Sequence, residues 1–300
     1  MGDKMNINDL KYNMRRRMQV IAYRMTSPTF MSKVYFRLVL KKKLNLTAPK
    51  TFNEKIQLYK LKYCPNNKRI IECTDKYRIR NYLKEKNLMS YAVPCIGYWE
   101  QVSDIPWTEL PNQFVLKCNH GCAYNIICAN KNELNILEAK KQLSKWLRED
   151  FSEFNAEPHY SHIKRGIICE EYLGDGNNDF LIDYKIHCFN GEPVFVLICS
   201  GRAQRSAEYI YYDLNWNELP YSNTESSHFS KPSSFSEMID VCKIVAKDFP
   251  FVRVDFYEVM GRPYIGELTF VPAGGLDNTI PYEADVEIGK MFDVGKLEKC

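Results

Sequence analysis

Two β-hairpins in the second half of the chain constrain the fold more than any other feature. Residues 183–201, DYKIHCFNGEPVFVLICSG, hold two runs rich in β-branched and aromatic residues joined by Asn190-Gly191, a pair that accepts the positive φ angles of a tight two-residue turn. Residues 250–270, PFVRVDFYEVMGRPYIGELTF, repeat the pattern and turn near Gly261. Between them SFSEMIDVCKIVAKDF places apolar residues at helical spacing. The C-terminal half must therefore hold an antiparallel sheet with a helix against it.

The first 90 residues have a different texture. NEKIQLYKLKY and TDKYRIRNYLKEKN read as helices, with Thr74 or Asp75 as the N-cap of the second. From Tyr91 the pattern changes. AVPCIGYW, QFVLKCN and RGIICEEYL are short apolar runs bounded by Pro, Asn and Gly, and read as strands, while LEAKKQLSKWLRED reads as an amphipathic helix. No internal repeat or low-complexity linker appears. The expected fold class is α+β: a basic, mainly helical N-terminal region (1–90) and two α+β subdomains (91–173 and 174–300) with a cleft between them. A chain of 300 residues, 45% of them hydrophobic, can bury cores for both.

Several classes are excluded by composition. No window approaches about 18 uninterrupted apolar residues, and MGDKMNIND lacks a secretory apolar stretch, so the expected location is the cytoplasm. Eleven scattered cysteines, an odd number, fit reduced thiols. The net charge of +4 is uneven: residues 1–50 carry twelve Lys/Arg against two Asp/Glu, and residues 51–300 carry 29 against 35. An acidic remainder argues against a nucleic-acid-binding protein. The basic segment, with Arg15, Arg16 and Arg17 at its start and Lys41, Lys42 and Lys43 at its end, fits either a helical arm packed on the core with a solvated basic face or a peripheral contact with the inner membrane face.

Three segments carry candidate chemistry. Lys117 ends the apolar run FVLK and is followed by Cys118-Asn119-His120-Gly121-Cys122-Ala123-Tyr124-Asn125; a lysine there needs an anion, and the glycine-containing loop could fold over phosphates. Glu170-Glu171 end the run GIIC, and only one of them can face a cleft. In RVDFY and GELTF, alternation puts Arg253, Asp255, Glu267 and Thr269 on one face of a hairpin. Paired carboxylates repel unless a cation separates them, and hard oxygen donors suit Mg²⁺ with phosphate completing its shell.

Taken in order, TDKYRIRNYL, AVPCIGYW, QFVLKCNHGCAYN, GIICEEYL, FVRVDFYEV and YIGELTF resemble the motif series of ATP-grasp ligases. FNEKIQ, DYKIHCFNGEP and GELTF are more similar to the TupA-like ATP-grasp family, over roughly residues 50–290. The resemblance implies an ATP-grasp fold with the nucleotide cleft between the subdomains, and ATP and Mg²⁺ as cofactors. It implies an ADP-forming carboxylate–amine ligase that works through an acyl phosphate. Lys76 and Lys117 would contact the phosphates, Asn119, His120, Gly121 and Cys122 would lie in the closing loop, and Glu170 or Glu171 would meet the adenosine. Asp255 and Glu267 would be metal ligands; Thr269 stands where many relatives carry asparagine. Arg253 and Lys185 would serve catalysis, and Arg202 and Arg205, spaced i and i+3, could clamp a carboxylate. The implied partners are a uronic-acid-containing bacterial surface polysaccharide or its precursor and an amino acid or small amine. A polysaccharide glycosyltransferase is the alternative, although no two aspartates lie two residues apart. A zinc site at Cys118, His120 and Cys122 is set aside, because alternate residues of one short loop close a tetrahedral site poorly.

Overall fold

The computed structural model describes residues 7–174, 181–200, 208–222 and 228–298. Helices come first. α1 (Ile7–Met25) and α2 (Pro28–Leu40) are separated by a break at which the Ser27 side chain accepts from Phe30 N and Pro28 takes the first helical position, a residue whose fixed φ suits that place. α3 (Phe52–Leu58) opens with a reciprocal capping box between Thr51 and Glu54 and runs on through a π-helical turn, Tyr59–Tyr63. α4 (Lys68–Thr74) and α5 (Ile79–Glu85) follow. Asp75 has N-cap geometry for the turn that leads into α5: its backbone is extended, its carbonyl accepts from Ile79 N, and its carboxylate accepts from Tyr77 N and Arg78 N.

The first subdomain is a four-stranded antiparallel sheet in the order β1-β4-β2-β3, built from β1 (Cys95–Trp99), β2 (Phe114–Cys118), β3 (Asn125–Cys128) and β4 (Ile167–Glu171). α6 (Ile136–Arg148) covers one face, burying Leu143 over Phe114, Leu116, Cys118 and Cys169, and the short α7 (Ser152–Asn155) follows it. The opposite face carries Lys117 and Glu170.

The second subdomain is a six-stranded antiparallel sheet, β10-β9-β5-β6-β7-β8. Its strands are β5 (Asp183–Phe189), β6 (Glu192–Ser200), β7 (Glu208–Asp213), β8 (Glu218–Leu219), β9 (Phe251–Val259) and β10 (Arg262–Thr269). Both expected hairpins form, with paired positive φ angles at Asn190 (53°) and Gly191 (98°), and at Met260 (50°) and Gly261 (75°). β5 is buried along its whole length because both faces are covered. On one face α8 (Phe235–Ala246) buries Met238, Val241 and Val245. On the other, α3 and α9 (Tyr282–Met291) seat Phe52, Tyr59 and Phe292 around Phe189 and Phe251. The charged candidates lie farther along that same aromatic face.

The join between α3 and α9 is close. A Cβ on Gly289 would lie 2.3 Å from the Lys50 carbonyl oxygen, and the Gly289 carbonyl accepts from Lys55 Nζ at 2.6 Å. The three atoms nearest that Cβ, Lys50 O, Phe52 N and Thr51 C, are all backbone and cannot swing aside. Gly289→Ala is expected to destabilise the protein by about 3 kcal/mol, read as a lower urea midpoint with an unchanged m-value; an unaltered midpoint would show that α3 and α9 do not pack this closely.

Candidate active site

Register builds the site. Lys185 pairs with Asp255 across β5 and β9, and Asp255 with Glu267 across β9 and β10, so three charged side chains stand in one row over three strands. The next row holds His187, Arg253 and Thr269. A β-bulge between Ile265 and Glu267 sets Glu267 on this face. Asp255 is the centre. Arg253 grips it with two parallel bonds, Nε to Oδ1 at 2.6 Å and Nη2 to Oδ2 at 2.7 Å, and Lys185 Nζ donates to Oδ2 at 2.7 Å. Lys185 Nζ also lies 3.4 Å from Asp183. Arg253 donates to Thr269 Oγ1 at 3.2 Å, and Thr269 donates to Glu267 Oε1 at 3.3 Å.

The other wall comes from the smaller sheet. Lys117 Nζ donates to Glu170 Oε2 at 2.7 Å, and Arg80 of α5 reaches Oε1 of the same carboxylate at 3.5 Å while donating to the Val93 carbonyl. Lys76 joins the two walls: its Nζ donates to the Gly121 carbonyl at 2.7 Å and stands 3.6 Å from Glu267 Oε2. A second tie lies deeper, where buried Lys60 donates to the carbonyls of Asn155 and Gly274, at 3.1 and 3.0 Å, just past α7 and β10.

These contacts place each expected residue. Lys76, Lys117, Glu170, Lys185, Arg253, Asp255, Glu267 and Thr269 form two ionic clusters bridged by Lys76. Glu171 points to solvent, as alternation along the strand requires of one of the pair. Asn119 is fully buried and committed to the chain: its amide donates to Asp75 and to the Lys164 carbonyl, and its oxygen accepts from Gly166 N. His120 turns into the smaller core, with Nε2 at 3.1 Å from the Trp146 carbonyl and its ring edge-on to Tyr124. Gly121 is packed closely, since a Cβ there would meet the Phe151 and Tyr124 rings at 2.8 Å. Cys122 is exposed beside Tyr160. Cys118, His120 and Cys122 thus diverge, and among the described residues no group of three or more His, Cys, Asp or Glu side chains is arranged to hold a metal. Arg202 and Arg205 lie outside the described residues. Arg80 and Asp183 join the clusters although neither was singled out; their signals were the i+4 spacing of Arg80 from Lys76 and the i+2 spacing of Asp183 from Lys185.

The sequence leads one to expect a cation between Asp255 and Glu267. In the structure the protein's own cations do the neutralising. Burial would push the Asp255 carboxyl up, but Arg253 and Lys185 outweigh it and hold Asp255 below the usual carboxylate range. Glu267 is likewise held low against burial, chiefly by Lys76. Burial would lower Lys76, and Glu267 prevails and raises it. Mg²⁺ fits the donor chemistry of this row: two hard carboxylates on paired strands with a hydroxyl beside them, Glu267 being the partly exposed member. Two carboxylates do not complete an octahedral shell, so remaining oxygens must come from a phosphate or water.

A family model described as TupA-like ATPgrasp matches residues 54–293. Similar solved structures include D-alanine–D-alanine ligase from Bacillus anthracis complexed with ATP, at 15% identity and TM-score 0.46, covering 76% of this chain and 64% of that one. D-alanine–D-alanine ligase from Helicobacter pylori matches at 12% identity and TM-score 0.42, covering 80% and 69%. L-amino acid ligase from Bacillus licheniformis matches at 13% identity and TM-score 0.45, covering 75% and 48%. The chain thus spans less than two thirds of the length of the first and last of these. No curated protein matches its sequence.

Two measurements test the site. Removing the charge of Asp255 leaves buried Arg253 without a paired carboxylate and Lys185 with Asp183 alone, so Asp255→Asn should cost about 3–5 kcal/mol of stability, whereas Glu267→Gln, at a partly exposed position, should cost less than about 1; equal costs in denaturant titrations would contradict the geometry. Buried histidines set the acid response. Burial pushes His120 down to about 4 and His159 to about 3, from an ordinary value of 6.5, and His187 is also held well below it. Between pH 6.5 and 4 the unfolded chain therefore takes up protons that the folded chain refuses. Stability present above pH 6.5 should fall through that window by up to about 1.4 kcal/mol per pH unit for each such histidine, seen as a steep loss of Tm. A flat Tm across the window would show that these rings are not buried neutral.

Proposed function

The chain belongs to the TupA-like ATP-grasp family, and from that premise we propose that it is an ATP- and Mg²⁺-dependent carboxylate–amine ligase. The observation that carries the reading is the charged row Lys185–Asp255–Glu267, flanked by Arg253 and tied to the facing subdomain by Lys76. The row can hold a metal-bound polyphosphate and stabilise an oxyanion on one surface.

A carboxylate is a poor acyl donor because its leaving group would be oxide. ATP supplies the phosphoryl group that converts it to an acyl phosphate, and Mg²⁺ supplies charge neutralisation for that transfer. Asp255 and Glu267 are the residues that would hold the metal. The side chains around them do the rest. Lys76 and Lys117, now paired with Glu267 and Glu170, can turn to incoming phosphates at little electrostatic cost, since one anion replaces another. Once Lys117 turns to phosphate, Glu170 keeps Arg80 as its partner and would accept from the nucleoside end. Arg253 has a guanidinium whose charge is insensitive to pH and whose fork geometry suits an acyl phosphate and the tetrahedral oxyanion formed when an amine attacks. Water must be excluded while the acyl phosphate persists. The segment Asn119–Cys122 would do this as a fixed wall, because Asn119 is fastened to Gly166, just before β4, and Lys76 holds Gly121.

The proposed acceptor is a uronic-acid carboxyl of a bacterial surface polysaccharide or its precursor, and the proposed donor an amino acid or small amine. The TupA-like membership favours these. The reading places the enzyme in the cytoplasm; among the described residues no helix is long and apolar enough to cross a membrane.

A coupled ADP-release assay over a panel of uronic acids and amines should give ADP only when ATP, an acid and an amine are all present. Glu267→Gln should lower turnover at least 100-fold, the effect of losing about 3 kcal/mol of transition-state stabilisation. Full activity in that variant would remove Glu267 from the reaction.

A further inference from the structure

The N-terminal helix carries a feature that ligase chemistry does not need. One side of α1 is fixed to the smaller subdomain. Arg16 pairs with Glu149 at 2.8 Å and lies over the Phe154 ring, Gln19 donates to the Phe154 carbonyl at 3.0 Å, and Arg24 pairs with Glu153 at 2.5 Å. The opposite side should be polar on a helix that ends at that contact. It is apolar instead. Met14, Met18, Ile21 and Met25 recur at intervals of four, three and four residues, which sets them on one stripe, and they are 57, 64, 58 and 79% exposed. α2 adds Phe30 and Leu38, 53 and 59% exposed. Arg15 and Arg17 flank the stripe, and exposed Lys33, Arg37, Lys41, Lys42 and Lys43 follow along α2 and its end. No acidic residue occurs between Asp9 and Glu54.

We propose that this outward face of α1, continued by α2, docks the protein on an anionic lipid surface, the stripe entering the boundary between headgroups and acyl chains while the arginines and lysines meet lipid phosphates. Charge complementarity selects this occupant. A second copy of the chain would set the same basic, acid-free face against itself in an isologous contact, and like charges would oppose it. A soluble polyanion would satisfy the cations and leave four large apolar side chains in water. An anionic bilayer offers partners to both, through apolar burial plus about fivefold in affinity for each basic residue at the surface. Packing on the core and docking on lipid are then properties of opposite sides of one helix, and Arg16 belongs to the first.

The test is vesicle sedimentation of the full chain. Wild type should co-sediment with vesicles containing phosphatidylglycerol, should not with pure phosphatidylcholine vesicles, and should be released at high salt. Met14→Ser/Met18→Ser/Ile21→Ser/Met25→Ser should lose association, and Arg15→Gln/Arg17→Gln should weaken it at least about tenfold, both with unchanged melting temperature because the altered residues are exposed. In Met18→Trp, brominated lipids should quench emission beyond the quenching seen in wild type. If the serine variant fails to fold, the arginine pair and the tryptophan probe decide. Wild-type protein that does not sediment, equal sedimentation with neutral vesicles, or no added quenching of Met18→Trp would overturn the proposal. A wild-type dimer that the serine variant abolishes would assign the stripe to a second copy and overturn it as well.

Discussion

Asp255 is a nearly buried carboxylate held by two cations, and the rest of the site takes its form from that constraint. A lone charge at this depth would be very costly to leave unpaired. Arg253, two residues away on the same strand face, and Lys185, directly across on β5, both reach it because antiparallel register and alternation leave them no other direction. Arg253 then passes a bond to Thr269 and through it to Glu267, so β5, β9 and β10 are stitched at one end by charge, while Phe52 of α3 packs β5 to β9 at the other through Phe189 and Phe251. The aromatic end supplies rigidity. The charged end is held in place by it, with Glu267 its partly exposed member.

On the proposed reading, the site works by exchanging these partners. Each cation that an ATP-grasp reaction would direct at phosphate already has an anion: Lys76 has Glu267, Lys117 has Glu170, and Arg253 and Lys185 share Asp255. The protein's own carboxylates neutralise these cations. With nucleotide, the phosphates can take over the cations and the freed carboxylates can take a metal. Lys76 matters most in this respect, because it touches Gly121 on one wall and Glu267 on the other. Any movement that shifts one subdomain must remake that contact.

Much of this was legible in the sequence. The two hairpins, α6 and α8 were set by turn chemistry and periodicity, and alternation alone predicted that one of Glu170 and Glu171 would face outward. Other features were hidden for definite reasons. β7 and β8 lie in a segment whose EYIYYD run is strand-like but whose pairing to β6 depends on long-range contact. The cap at Asp75 was legible, but that the same carboxylate would also take the buried Asn119 amide was not. Asn119 and His120 sit in a glycine-containing loop that reads as a phosphate cradle, yet their polar atoms are drawn to Asp75, Gly166 and Trp146, residues 44, 47 and 26 positions away. The pair of carboxylates, with Arg253 on their face, was legible; that Lys185 would join Arg253 in neutralising Asp255 was not, since no spacing rule reports a cross-strand partner on β5.

On the proposed reading, these internal ion pairs occupy the positions that nucleotide and metal would take. This is tested most directly by titrating Mg²⁺ into the protein by calorimetry, first alone and then with a non-hydrolysable ATP analogue at saturation. Mg²⁺ alone should bind weakly, in the millimolar range or beyond, because it must displace Arg253, Lys185 and Lys76 without giving them another anion; with the analogue present, affinity should rise at least about tenfold, a coupling of about 1.4 kcal/mol. Equal Mg²⁺ affinity with and without nucleotide would show that the cations are not exchanged, and that the row is a structural brace alone.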